Sequence, residues 1–249
     1  MPRVTVRFYE ELNEFLPADR RKLSFPADVP PGSTTKSLVE NLGVPHTEVD
    51  LVLVNGESSD FSRQLQEGDQ VSVYPVFESW DIAAVSLVRA VPLRVTRFIA
   101  DVHLGRLARQ LRMLGLDTAW SNRLADDEIV RRARREARII LTRDRGLLKR
   151  RAVTHGYLVR AHDPREQLAE VLARFDAARQ VRLFSRCMDC NGLLARVPRR
   201  SVLDAVPAAV AETCAEFSRC PGCAKVYWRG THWETMKKLA TDVIGRQLD

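Results

Sequence analysis

All five cysteines of this chain fall between Cys187 and Cys223, and four of them form two CxxC pairs, CMDC at 187–190 and CPGC at 220–223. Cysteines confined to one short stretch cannot staple the remainder of the chain with disulfides. Two pairs 29 residues apart instead supply the four soft donors of one closed tetrahedral Zn²⁺ site. Cys187, Cys190, Cys220 and Cys223 are the expected ligands, and Gly192 and Gly222 supply turns beside the two knuckles. A thiol redox role for either pair is the competing reading. Cys214, six residues before Cys220, is expected to pack as a small apolar side chain. The last module, residues 181–249, is therefore read as a zinc ribbon with a C-terminal tail.

Charge divides the chain in a second way. Residues 1–86 carry 7 Lys or Arg against 14 Asp or Glu, whereas residues 87–249 carry 32 against 18. An acidic module thus precedes a basic one, and the basic part is suited to a polyanion. The N-terminal MPRVTVRFYEELNEF has no long apolar stretch, and no window approaches 18 apolar residues. No membrane span is expected, and a cytoplasmic location is the default.

Hydrophobic periodicity resolves the first 180 residues into two further modules. In residues 1–80, VTVRFYEEL alternates as a strand, TTKSLVENLGV reads as a short amphipathic helix, VDLVLVNG as a strand closed by Asn-Gly, and QLQEGDQVSVYPV as a turn and a strand. This order resembles the β-grasp, ubiquitin-like domains related to small sulfur carriers. Those carriers end in an exposed Gly-Gly, which YPVFESWD lacks, so sulfur transfer by this module is disfavoured. Residues 81–92 read as a linker.

Over residues 93–180, strands alternate with helices, the pattern of βαβ units and a mostly parallel sheet. LRVTRFIAD is a strand ending at Asp101. In the helix that follows, Leu104, Leu107, Ala108, Leu111 and Leu114 share one face, while Arg106, Arg109 and Arg112 fall largely on the others. LDTAW is a short strand, ADDEIVRRARREA a helix with acids in its first turn, RIILT and HGYLVR two more strands, and DPREQLAEVLARF a helix capped by Asp163 with Pro164 at its first position. The whole is an α+β and α/β multidomain chain.

Each of these strands is followed by a carboxylate: Asp101, then Asp126 and Asp127, then Asp144, then Asp163. One parallel sheet would bring them to a single edge, where ligands of such sheets bind. Convergent like charges need a cation or strong hydrogen bonding to offset repulsion. Mg²⁺ or Mn²⁺, held by a few carboxylates and waters, would meet that need and orient water against phosphorus. Any one of these aspartates, taken alone, is equally a helix cap, Asp163 above all. Arg97, Arg106, Arg109, Arg143 and Arg145 are candidate phosphate contacts or a solvated surface.

FIADVHLGRLARQLRMLGLDT, DDEIVRRARREARIILTRDRGLL, SRCMDCNG and RCPGCAKVYWRGTHWETM together resemble the Mut7-C family, a PIN-like ribonuclease domain with a zinc ribbon. VRFYEELNEFLP, GVPHTEVDLVLVNGESSDFS and GDQVSVYPVFE resemble the ubiquitin-like domain fused to it in bacterial members. The resemblance implies a divalent-metal ribonuclease. It places Asp101 and Asp144 as first- and third-strand carboxylates and Asp127 as the helical acid, with Asp126 or Glu128 as alternatives and Asp163 as a less secure fourth. Thr142 would steady the loop through its hydroxyl.

In the tail, Lys225, Tyr227, Trp228, Arg229, His232 and Trp233 mix aromatic and basic side chains, a surface for unpaired RNA bases or else ribbon packing. Two functions follow. One is a metal-dependent ribonuclease; the other is a non-catalytic RNA-binding adaptor whose acidic N-terminal domain recruits a protein partner.

Overall fold

The computed structural model describes residues 1–75, 86–88 and 96–245, without the side chains of Thr231, His232 and Ile244. Apart from residues 86–88, the expected linker over 81–92 lies outside the described residues. Two compact units form. One comprises Met1–Val95, Arg134–Glu136 and Asp144–Leu158; the other comprises Thr96–Ala133, Ala137–Arg143 and Val159–Asp249.

The N-terminal sheet contains β1 (Arg3–Phe8), β2 (Ser24–Asp28), β3 (Val49–Val54), β4 (Glu57–Ser59) and β5 (Gln70–Pro75), ordered β2-β1-β5-β3-β4. β1 and β5 are parallel, and the other pairs are antiparallel. Alternation along β1 buries Val4, Val6 and Phe8. They share this unit's core with Leu38 and Val39 of α1 (Thr35–Asn41). A reciprocal Thr34–Ser37 capping box starts that helix. The sheet and its helix have the β-grasp arrangement expected from the sequence.

In the second unit, β6 (Phe98–Ala100) pairs in parallel with β7 (Thr118–Ala119) on one side and β8 (Ile139–Thr142) on the other. β6 and β8 are buried along their full length, as befits parallel strands covered on both faces. Between them run α2 (Gly105–Met113) and α3 (Asp126–Glu136). α2 ends at Gly115, whose φ of +85° needs glycine; a Cβ there would meet the Arg182 carbonyl oxygen at 2.3 Å. After β8 come α4 (Arg145–Lys149), β9 (Gly156–Leu158) and α5 (Pro164–Arg174). α4 and β9 group with the first unit. Asp163 caps α5 through the backbone N–H groups of Arg165 and Glu166, with Pro164 at the start, as expected.

The C-terminal ribbon is an antiparallel sheet of β10 (Ala195–Val197), β11 (Phe217–Arg219) and β12 (Val226–Trp228), with α6 (Ala208–Thr213) before β11 and α7 (Thr231–Ile244) after β12. Strand alternation separates its faces. Phe217 and Val226 are buried with Val202, and Val197, Cys214 and Trp228 pack against them. Arg196, Ser218 and Tyr227 lie in register on the other face.

Candidate active site and zinc centre

Asp101 leaves the C-terminal end of β6, only 4% exposed. One carboxylate oxygen accepts from the Val102 N–H at 2.6 Å and the other from the Thr142 hydroxyl at 2.6 Å. Thr142 is the fully buried last residue of β8. The Thr142 hydroxyl, expected to steady the loop, is instead bonded to the Asp101 carboxylate at the carboxyl edge of the sheet. Asp126, Asp127 and Glu128 occupy the first turn of α3, behind an Ala125 N-cap. Glu128 pairs with Arg131. Asp144, two residues beyond β8, caps α4 through the Gly146 N–H at 2.7 Å. Asp163 caps α5. Among the described residues, the only group of three or more His, Cys, Asp or Glu side chains drawn close enough to share an ion is the cysteine quartet.

The predicted phosphate-binding arginines differ in engagement. Arg143 donates to the His162 ring, Arg145 lies over the Phe15 ring at 5.1 Å, and Arg109 reaches Asp189 at 3.9 Å. Arg106 lines an apolar groove with Met113, Met188 and Met236, while Arg97 is exposed.

Cys187, Cys190, Cys220 and Cys223 place their sulfurs within 4.8 Å of one another. The Cys187–Cys223 and Cys190–Cys220 separations are 3.5 and 3.3 Å. Tetrahedral thiolates at Zn–S distances of about 2.3 Å lie about 3.8 Å apart, so the quartet fits Zn²⁺ with a small outward adjustment. Burial opposes ionisation of Cys187, but the Tyr227 hydroxyl and the backbone N–H groups of Cys190 and Asp189 outweigh it and bring the thiol down to about 6. Cys190 is pushed up to about 12 by burial and by its cysteine neighbours. A bound dication reverses that balance. All four sulfurs converge on one point, so the two CxxC pairs form one closed quartet, the arrangement of a structural zinc site.

Sequence reasoning missed the polar lattice behind this centre. Arg112, read as lying off the apolar face of α2, is 2% exposed. It donates to the carbonyls of Thr118 at 2.8 Å, Trp120 at 3.3 Å, Met188 at 3.1 Å and Asp189 at 2.7 Å. The last two belong to the first cysteine knuckle. Beside it, Asp117 accepts from Arg138 at 2.6 Å and from Asn191 at 2.7 Å, with Arg186 at 3.3 Å. Burial works against Asp117 ionising, but these partners hold its carboxyl below the usual range. Lys225, a candidate for RNA contact or ribbon packing, pairs with Asp189. Tyr227 donates or accepts at Cys187 and accepts from the Met188 N–H at 3.1 Å. Trp228 packs on the ribbon core; alternation in VYW carried that signal. Trp233 meets Phe184 at 5.4 Å, with Arg229 over its ring at 5.0 Å. The His232 side chain lies outside the described residues.

A second arrangement, within the first unit, holds the segment that begins at Asp144. His46, 6% exposed, has Nδ1 2.7 Å from Glu40 and Nε2 2.7 Å from the Val153 carbonyl. Glu48 accepts the Leu158 N–H at 2.7 Å, and Lys149 donates to the Glu40 carbonyl at 2.8 Å. The β-grasp module thus grips α4 and β9 through buried polar contacts.

Comparison with known proteins agrees with this architecture. The family described as Mut7-C RNAse domain matches residues 96–240, and that described as Mut7-C ubiquitin matches residues 1–81. Two solved structures of the small archaeal modifier protein 1 of Haloferax volcanii are similar at 18% and 20% identity. Each covers 31% of this chain, and 100% and 99% of the modifier, with TM-scores of 0.26 and 0.25. No curated protein matches the chain.

Proposed function

The chain belongs to the Mut7-C RNAse domain family, and from that premise we propose that it is a divalent-metal-dependent ribonuclease hydrolysing RNA phosphodiester bonds. Family membership supports a nuclease-type activity in general. The observation that carries the finer reading is Asp101, a buried carboxylate locked by Val102 and Thr142 at the carboxyl edge of a parallel sheet. A buried carboxylate with both oxygens fixed is preorganised to hold or orient a cation. Asp127 and Asp144 complete the proposed set, with Asp126, Glu128 and Asp163 as the neighbouring acids. Mg²⁺ or Mn²⁺, when bound, supplies Lewis-acid chemistry at phosphorus. The protein's own part is to fix the carboxylates and to hold the strand through arginines such as Arg106 and Arg143.

The test is cleavage of RNA in Mg²⁺ or Mn²⁺ by the wild type, Asp101→Asn and Asp144→Asn. Loss of cleavage in both variants with the fold retained is expected. Metal-independent cleavage, or wild-type rates in either variant, overturns the proposal.

A second reading is a non-catalytic RNA-binding adaptor whose acidic, ubiquitin-like domain engages a protein partner. It is favoured by the one converged ligand group among the described residues being the cysteine quartet, a closed structural type of site. RNA binding without cleavage in either metal selects it.

A further inference from the structure

On the ribbon face opposite Phe217 and Val226 lies a cavity of about 310 Å³. Its floor is set by strand register. Arg196, Ser218 and Tyr227 stand side by side across β10, β11 and β12. Phe184 and Trp233 form an aromatic wall, their rings 5.4 Å apart. At the rim, Arg229 pairs with Glu216 at 3.3 Å, and Lys237 lies over the Trp233 ring at 5.4 Å.

Two features distinguish this cavity from ordinary packing. Arg196, exposed at the cavity, and Ser218, half-buried in it, have no side-chain hydrogen-bond or ion-pair partner among the described residues, so both can face a ligand, whereas Tyr227 is engaged with the cysteine knuckle and Arg229 with Glu216. A guanidinium and a hydroxyl left without partners beside aromatic rings form a receptor for an anion joined to a planar group. Second, Phe184 takes a left-handed backbone, φ +53°. That conformation is strained for a non-glycine residue. It is held by the Phe184 N–H donating to the Met113 carbonyl at 2.8 Å, and it sets the ring in the cavity wall.

We propose that this cavity binds one nucleotide of a single-stranded RNA, its base against the Phe184 and Trp233 wall and its phosphate at Arg196, with the Ser218 hydroxyl available to the base or sugar. The volume suits one nucleotide, and base–aromatic stacking tolerates any base. A protein side chain would leave the Arg196 charge to a carboxylate alone and would make less use of the ring wall. The assignment rests on the reading of the chain as acting on RNA, but it requires no cleavage.

The test uses the full-length, zinc-loaded chain without added Mg²⁺ or Mn²⁺, so binding is read apart from catalysis. Fluorescence anisotropy of a labelled ten-nucleotide oligouridylate and quenching of tryptophan emission are followed together. Arg196→Glu should weaken binding at least about tenfold, the scale of one charge-assisted contact, and should lower the slope of log affinity against log salt by about 1. Arg196→Lys should recover part of the loss. Arg179→Glu, an equal charge reversal outside the cavity, should cost much less. Equal loss in Arg179→Glu and Arg196→Glu, or binding without tryptophan quenching, overturns the site. Uridine monophosphate binding as tightly as the oligomer overturns the RNA strand as its occupant. The nuclease reading is decided separately, in Mg²⁺ or Mn²⁺: tight binding at the cavity with no cleavage by the wild type in metal overturns the nuclease and leaves the cavity standing.

Discussion

Arg112→Met is the substitution that most directly asks whether the zinc knuckle and the parallel-sheet core are one mechanical piece. Met keeps much of the aliphatic volume and removes the guanidinium, leaving the Thr118, Trp120, Met188 and Asp189 carbonyls without their shared donor. Hydrogen bonds to a charged donor contribute about 1.5–3 kcal/mol each. Against them stands the desolvation of a guanidinium only 2% exposed, which itself lowers the Arg112 pKa. The net loss is about 3–5 kcal/mol, the scale for breaking a buried charged network. For a chain of this size that lowers the melting temperature by on the order of 10 °C. Two of the orphaned carbonyls lie in the Cys187–Cys190 turn, so zinc affinity should also fall about 10–100-fold, as for other groups that orient metal ligands. Competition with a chromophoric zinc chelator and melting with and without zinc measure the two effects. Arg112→Lys should recover only part of each, because an ammonium cannot span four carbonyls in a fixed fork. A melting temperature within about 2 °C of wild type, or unchanged zinc affinity, refutes the coupling.

Two further outcomes follow from buried polar groups. His46→Ala removes both contacts to Glu40 and the Val153 carbonyl, so amide hydrogen exchange across 144–158 should accelerate by a factor matching about 1–3 kcal/mol while β1 and β5 stay protected. Unchanged exchange there means that the β-grasp module does not hold the Asp144 segment. Asp117 titrates below the ordinary carboxylate range. Its stabilisation is therefore complete above the unfolded pKa of about 4 and is lost as pH falls through the lower folded value. Asp117→Asn should lower stability at neutral pH and flatten the acid limb of a denaturation curve taken between pH 6 and 2, and an acid limb as steep as wild type contradicts that assignment.

What the sequence made legible was local. Cysteine spacing, the Asp163–Pro164 start of α5, the apolar stripe of α2 and the alternation of β1 each depend on residues a few positions apart, where periodicity and capping operate. The features it concealed join distant residues. Arg112 reaches Met188 and Asp189 across 76 and 77 positions, Asn191 reaches Asp117 across 74, and His46 reaches Val153 across 107. No period or motif encodes such pairings. Arg112 sits one position from Leu111, at the margin of the apolar stripe, where a long side chain turns toward the core as easily as toward solvent. Helical periodicity placed it off the apolar stripe, and four carbonyls hold it in the interior.

The same distinction bears on the acidic site. Thr142 and Asp101 meet because β6 and β8 are parallel and in register, Ala100 opposite Leu141, which strand order alone could anticipate. Asp144 stands two residues past β8, and its own oxygen is committed to starting α4. A carboxylate that caps a helix while ligating a cation must share its two oxygens between those tasks, and the cap is made through Oδ1. Asp144→Asn retains an oxygen for the cap and removes the charge. It therefore separates the two roles: a lost cap shows as a less stable α4, and a lost ligand as loss of metal-dependent cleavage with α4 intact.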